Sequence, residues 1–199
     1  MVGGHDNEEN TDTTNEWRVR MSRIEEIISQ EKDNLCIHEY AFMKSNTVIF
    51  SDEVRMLCKK NVCGMYGTSW ACPPAVGSVE ECKNRCNNFE NAFMFTSLAK
   101  LRKKYDVAEW RETRLLHESI TEKVARIFRD EFKESLILST EGCNLCKKCT
   151  YPENPCRFPN RMFPATESFG IMVIQQAPLC NIKYNNGANA ITYFSMIFF

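Results

Sequence analysis

Between Gly142 and Arg157 the chain reads GCNLCKKCTYPENPCR, which sets Cys143, Cys146, Cys149 and Cys156 at the spacing C-x2-C-x2-C-x6-C. Three thiols at such short, even intervals cannot share one face of a helix or a strand. They converge only if the backbone curls around something between them. Iron–sulfur proteins grip three corners of a 4Fe–4S cluster in this way and take the fourth ligand from further along the chain. Zinc is also held by four thiolates, but usually by separated C-x2-C pairs, so the tight triplet favours iron–sulfur and leaves zinc as the alternative. Free or disulfide-bonded cysteines are the purely structural reading.

A second cysteine stretch, CKKNVCGMYGTSWACPPAVG at 58–77, carries Cys58, Cys63 and Cys72 with no obvious fourth thiol. Gly64, Gly67, Pro73, Pro74 and Gly77 keep most of it out of regular structure. Three ligands leave a position at which a metal or cluster can bind a substrate. In the simpler reading these three complete one site with part of the later group. Tyr66 and Trp70 are candidates for shielding a cluster or stacking on a ligand, with packing as the plainer role. Cys82 and Cys86, at i and i+4 of a helix, read as small core hydrophobes or extra ligands. Cys36 and Cys180 read as core filling, and His117 reads as an edge residue of a long helix.

Eleven cysteines in 199 residues is a high count for a chain large enough to have its own core. The number is odd, the N-terminus is acidic and without an apolar run, and no stretch approaches the ~20 apolar residues that span a bilayer. These features lead us to expect a cytoplasmic protein with no membrane segment. A net charge of −1 argues against a general nucleic-acid binder. The basic run KLRKK at 100–104, with Lys147, Lys148, Arg157 and Arg161, is a solvated face. In the functional version it is a docking patch for an acidic electron carrier, a redox partner enzyme, or a phosphate or carboxylate substrate. Nothing resembles a nucleophile–base constellation, a phosphate-binding glycine loop or a dinucleotide fingerprint.

Periodicity predicts a disordered acidic tail at 1–15 and a helix from Glu16 to about Lys32. A hairpin or two short strands follow at 35–50, then a helix capped by Ser51 and another capped by Ser78. Ala92–Ser97 reads as a core strand. A helix over 107–133 shows an apolar stripe of Trp110, Leu115, Leu116, Ile120, Val124, Ile127, Phe128 and Phe132, supported by a Glu122–Arg126 pair. Ser135–Ser139 is ambiguous between helix end and strand. A Pro-rich loop runs over 150–165, a short helix lies near 165–169, and Ala190–Phe199 reads as a buried strand. The expected fold is α+β: one domain over 16–199, a small mixed sheet with flanking helices, and two cysteine-rich metal-binding loops. The final strand offers a homodimer interface if the core leaves it uncovered.

The segments Cys63-Gly-Met-Tyr-Gly-Thr-Ser-Trp-Ala-Cys72-Pro-Pro-Ala-Val-Gly77, Glu80-Glu81-Cys82, Gly142-Cys-Asn-Leu-Cys-Lys-Lys-Cys149 and Cys156-Arg157 resemble a prokaryotic domain-of-unknown-function family described as predicted metal-binding proteins. Glu167-Ser-Phe-Gly170-Ile and the ending from Tyr184 to Phe194 are similar as well, so the likeness covers about residues 48–199. It implies a bacterial or archaeal cytoplasmic protein, commonly of anaerobes, that binds metal or an iron–sulfur cluster through those cysteines. It implies no particular reaction. Met172 stands where an aspartate would be expected from the family.

The combined expectation is a redox iron–sulfur protein with one or two 4Fe–4S clusters. The metal ligands would be Cys58, Cys63, Cys72, Cys143, Cys146, Cys149 and Cys156, with Tyr66, Trp70, Lys147 and Arg157 around the cofactor. Its work would be electron transfer to a partner or reductive chemistry at the open site. The rival readings are a structural zinc module and a non-redox iron–sulfur enzyme using its cluster as a Lewis acid.

Overall fold

The segment from Ala92 to Phe95 is apolar at every position, so as a strand it needs cover on both faces. It receives that cover. In the computed structural model, which describes residues 9–102 and 106–199 with side chains from Asn15, this segment belongs to β2 (Asn91–Lys100). The other strands are β1 (Tyr40–Lys44), β3 (Leu136–Leu138) and β4 (Ala190–Phe198), and the sheet order is β1-β2-β4-β3. Every ladder is antiparallel, which corrects the expected mixed sheet while keeping the α+β class.

Odd and even positions of β2 and β4 feed two separate cores. Phe93, Phe95 and Ile197 face α1 (Glu9–Glu31) and α4 (Val107–Glu131), meeting Ile24, Ile28, Ile120, Val124 and Phe128. Ala92, Met94, Phe194, Met196 and Phe198 face the opposite layer, meeting Val76, Cys82, Cys86, Phe169, Ile171 and Ala177. That layer holds α2 (Asp52–Lys59), α3 (Val79–Asn87) and α5 (Val173–Leu179). β4 is therefore a central strand, and its apolar run is consumed inside the molecule.

Local signals set the short helices. Ser51 accepts from the Glu53 amide to start α2, and Ser78 and Glu81 form a reciprocal capping box at α3. Several expectations need correction. Of the tail at 1–15, residues 1–8 lie outside the described residues and the rest belongs to α1. The 35–50 segment does not close on itself: β1 runs into a 3-10 turn at Ser45–Thr47 and pairs with β2. On α4, Trp110, Leu115 and Leu116 are exposed, and the buried stripe runs instead through Arg114, His117, Ile120, Thr121, Val124, Ala125 and Phe128. Glu122 pairs with Arg161 rather than Arg126. Cys36 is exposed, in a turn with positive φ, rather than in the core. Lys103 and Lys104 of the basic run lie outside the described residues.

Candidate metal centre

Both cysteine stretches are loops held from one side by helices. Cys58 sits in the last turn of α2, and Cys63 and Cys72 lie on the loop leading to α3. This loop doubles back: the Gly67 amide donates to the Pro73 carbonyl at 2.8 Å, and the Tyr66 amide donates to Asn61 Oδ1 at 2.9 Å. Its exit is clamped by two guanidinium groups. Arg55 donates to the Gly77 carbonyl at 2.7 Å and Arg85 to the Val76 carbonyl at 3.1 Å. Cys82 joins the clamp, its buried thiol donating to the Val76 carbonyl at 3.3 Å.

The later loop is staked to α4. Arg114 pairs with Glu118 at 2.7 Å and Glu141 at 3.0 Å, and also donates to the Gly142 carbonyl at 3.3 Å. Asn144 donates to Glu118 at 3.2 Å, and Arg129 donates to the Asn160 carbonyl at 2.8 Å. Within the loop, Thr150 donates to the Pro155 carbonyl and Arg157 to the Lys148 carbonyl. Trp70 ties the two loops together: its Nε1 donates to the Asn154 carbonyl at 3.0 Å and its ring meets Tyr151 edge-on.

The seven candidate ligands line two cavities. Cys143, Cys146, Cys149 and Cys156 line one of about 350 Å³, together with Trp70, Lys147 and Arg157. Cys58, Cys63 and Cys72 line the other, of about 330 Å³, together with Tyr66. Met65 belongs to both walls, and Gly142 lies against it so closely that a Cβ there would strike the Met65 side chain. All eleven cysteines are free thiols. Among the described residues, no three His, Cys, Asp or Glu side chains are drawn onto a single point where they could hold a lone metal ion.

Burial disfavours the thiolates. It raises Cys72 to about 11, with the nearby Ser69 hydroxyl opposing, and it raises Cys58 against the opposing charge of Arg55. Cys143 is also raised by burial, with the Leu145 amide opposing. These are neutral thiols at pH 7, and losing their protons calls for a cation among them. Cys86 is pushed up to about 12 by burial and packs in the core with Cys82, away from both cavities.

Two polar residues escaped the sequence reading. Ser69, only 2% exposed, lines the four-cysteine cavity, and its hydroxyl has no partner satisfying hydrogen-bond geometry among the described residues. Glu167, in a 3-10 turn at Glu167–Phe169, lines the three-cysteine cavity. The residue is exposed, yet the protein packed around its carboxyl raises it above the ordinary range. Only its charge, the one ionisable side chain of Thr166-Glu167-Ser168 between apolar Ala165 and Phe169, hinted at it. His117 is fully buried: its Nδ1 lies 2.7 Å from Ser97 Oγ and its Nε2 lies 2.9 Å from Ser195 Oγ. It is an interior node and not an edge residue.

The family model for "Predicted metal-binding protein (DUF2284)" matches residues 41–199. The chain belongs to this family. The match takes in both cysteine loops, β1 to β4 and α2 to α5, and leaves out α1. Neither the comparison with curated proteins nor that with solved structures gives a match. The protein is thus a DUF2284 member, a predicted metal binder, whose described residues contain no helix long and apolar enough to cross a membrane.

Proposed function

We propose that this DUF2284 protein is a cytoplasmic iron–sulfur protein with a redox role. Cys143, Cys146, Cys149 and Cys156 hold a 4Fe–4S cluster that carries electrons, and Cys58, Cys63 and Cys72 hold a second centre where a substrate meets the metal. The observation that carries this reading is the partition of seven thiols into two adjoining cavities, four in one and three in the other. A structural zinc site wants four donors at about 2.3 Å from one point. Thiols spread around a cavity suit a multi-atom cluster better.

The donor set fits such a group in detail. The Phe158 amide points at Cys156 Sγ at 3.4 Å, and the Leu145 amide lowers Cys143, as backbone donors do for cluster thiolates. The unpartnered Ser69 hydroxyl has a hydrogen to give on the same wall. When bound, the clusters supply one-electron storage and transfer. The chain's own residues position and insulate them: Trp70 and Phe158 exclude water from the four-cysteine cavity, and Arg157 and Lys147 place positive charge on its rim. The exposed Lys147 and Lys148 give an acidic electron carrier or partner enzyme a place to dock.

Anaerobic purification with iron and sulfide analysis tests the reading. We expect a brown protein with about eight irons and matching sulfide. Cys149→Ser and Cys63→Ser should each remove roughly half of that iron while the other centre survives. A colourless protein with stoichiometric zinc and no sulfide would overturn it in favour of a structural module.

A further inference from the structure

The three-cysteine cavity contains a carboxylate as well as thiols. We infer that Glu167 is the fourth, exchangeable ligand of the Cys58–Cys63–Cys72 centre, closing it at rest and yielding its place to an incoming substrate. The inference rests on the iron–sulfur reading above.

Four observations carry it. First, Glu167 lines the same cavity as all three thiols. Second, its turn is built against the helix that carries Cys58, so that the Cys58 thiol lies 3.9 Å from the Glu167 backbone carbonyl. Third, Thr166 Oγ1 donates to Glu167 Oε2 at 2.9 Å, which orients the carboxylate. Fourth, no cation among the described residues forms an ion pair with it: Arg114 is engaged by Glu118 and Glu141, and Arg55 by the Gly77 carbonyl. Three thiols and a carboxylate line one cavity without converging on a single point, a donor set that a multi-atom cluster would span and a lone ion would not.

An oxygen ligand binds iron less tenaciously than a thiolate in such a mixed set, so the iron it holds is the one that exchanges. Ligand identity can therefore be read from cluster conversion. Ferricyanide takes one electron from a 4Fe–4S cluster in its 2+ state and becomes ferrocyanide. The resulting 3+ cluster sheds one ferrous ion and leaves a 3Fe–4S cluster of charge 1+, which has its own electron paramagnetic resonance signal. Anaerobically purified wild-type protein, Glu167→Ala and Glu167→Cys are compared under this oxidation, with iron and sulfide counted before and after.

Wild type should give the 3Fe–4S signal and lose about one iron per protein. Glu167→Ala, with no side chain to hold that iron, should give the signal at fewer equivalents of ferricyanide than wild type needs. Glu167→Cys, which completes a four-thiolate set, should keep its full iron count and suppress the signal several-fold. The inference is overturned if wild type holds both clusters and Glu167→Cys converts as readily as wild type. Wild-type iron confined to the four-cysteine cavity overturns both this inference and the open-site reading. Even if Glu167→Ala fails to fold, the comparison with Glu167→Cys decides the matter.

Discussion

His117 shows how far one side chain can depart from what its neighbours in sequence suggest. It lies next to exposed Leu116, yet it stacks on Tyr193 at 5.5 Å and sits among the hydroxyls of Ser97, Ser195 and, one step on, Thr121. Burial lowers its pKa from 6.5 to about 3. Between those two values the unfolded chain binds a proton that the folded chain refuses, so stability falls as pH drops below 6.5 and is complete above it. The slope is at most about 1.4 kcal/mol per pH unit. Denaturant unfolding of wild type and His117→Gln between pH 7 and pH 5 should show the variant less stable at pH 7 but with a shallower decline toward acid. Parallel declines would mean that the imidazole titrates in the fold.

At the scale of elements, α4 does two jobs with two adjacent stripes. One stripe, through Ile120, Val124 and Phe128, fills the core, and the other, through Arg114, Glu118, Glu122 and Arg129, tethers the cysteine loop. Arg114→Ala should cost about 1–3 kcal/mol, because it leaves the half-buried Glu118 and the Gly142 carbonyl with Asn144 as their remaining donor. The partial exposure of Glu118 and Glu141 keeps the figure below that of a fully buried pair. Thermal melts should show that loss together with lower metal retention and unchanged helix content. Retention equal to wild type would mean that the loop holds its own shape.

Such division of labour is only partly visible in a sequence. Ser51 and Ser78 announced their helices because a cap acts within one turn of its own residue. β4 is readable from its apolar run, and the division of the seven loop cysteines into a three and a four from their spacing. The strand at β1 is legible, but its pairing is not: Lys44-Ser45-Asn46-Thr47 has turn chemistry, while its real partner, β2, lies beyond two helices and a cysteine loop. The stripe on α4 was misplaced because Arg114 and His117 look polar until their partners from the loop and the sheet arrive. Glu167 and Ser69 were missed for the same reason: only tertiary structure makes them neighbours of thiols.

For the molecule as a whole, two hydrophobic layers on the two faces of the sheet carry the fold, and both cysteine loops hang beside them with little regular structure. Metal bound there stabilises what it touches. Removing it with an anaerobic chelator should therefore open the loops at 58–77 and 142–164 while β2 and β4 stay protected. Hydrogen exchange before and after chelation measures this, and loss of protection across the sheet would show instead that the metal holds the whole fold. The pairing of β2 with β4 has a kinetic consequence. The two central strands flank α4 and the entire four-cysteine loop in sequence, so a long stretch of chain must be gathered before the first central ladder bond can form. Refolding should be slow, and throughout that interval the thiols remain open to air and to the wrong metal. Until the sheet closes, the two cysteine loops have no scaffold to hold their shape.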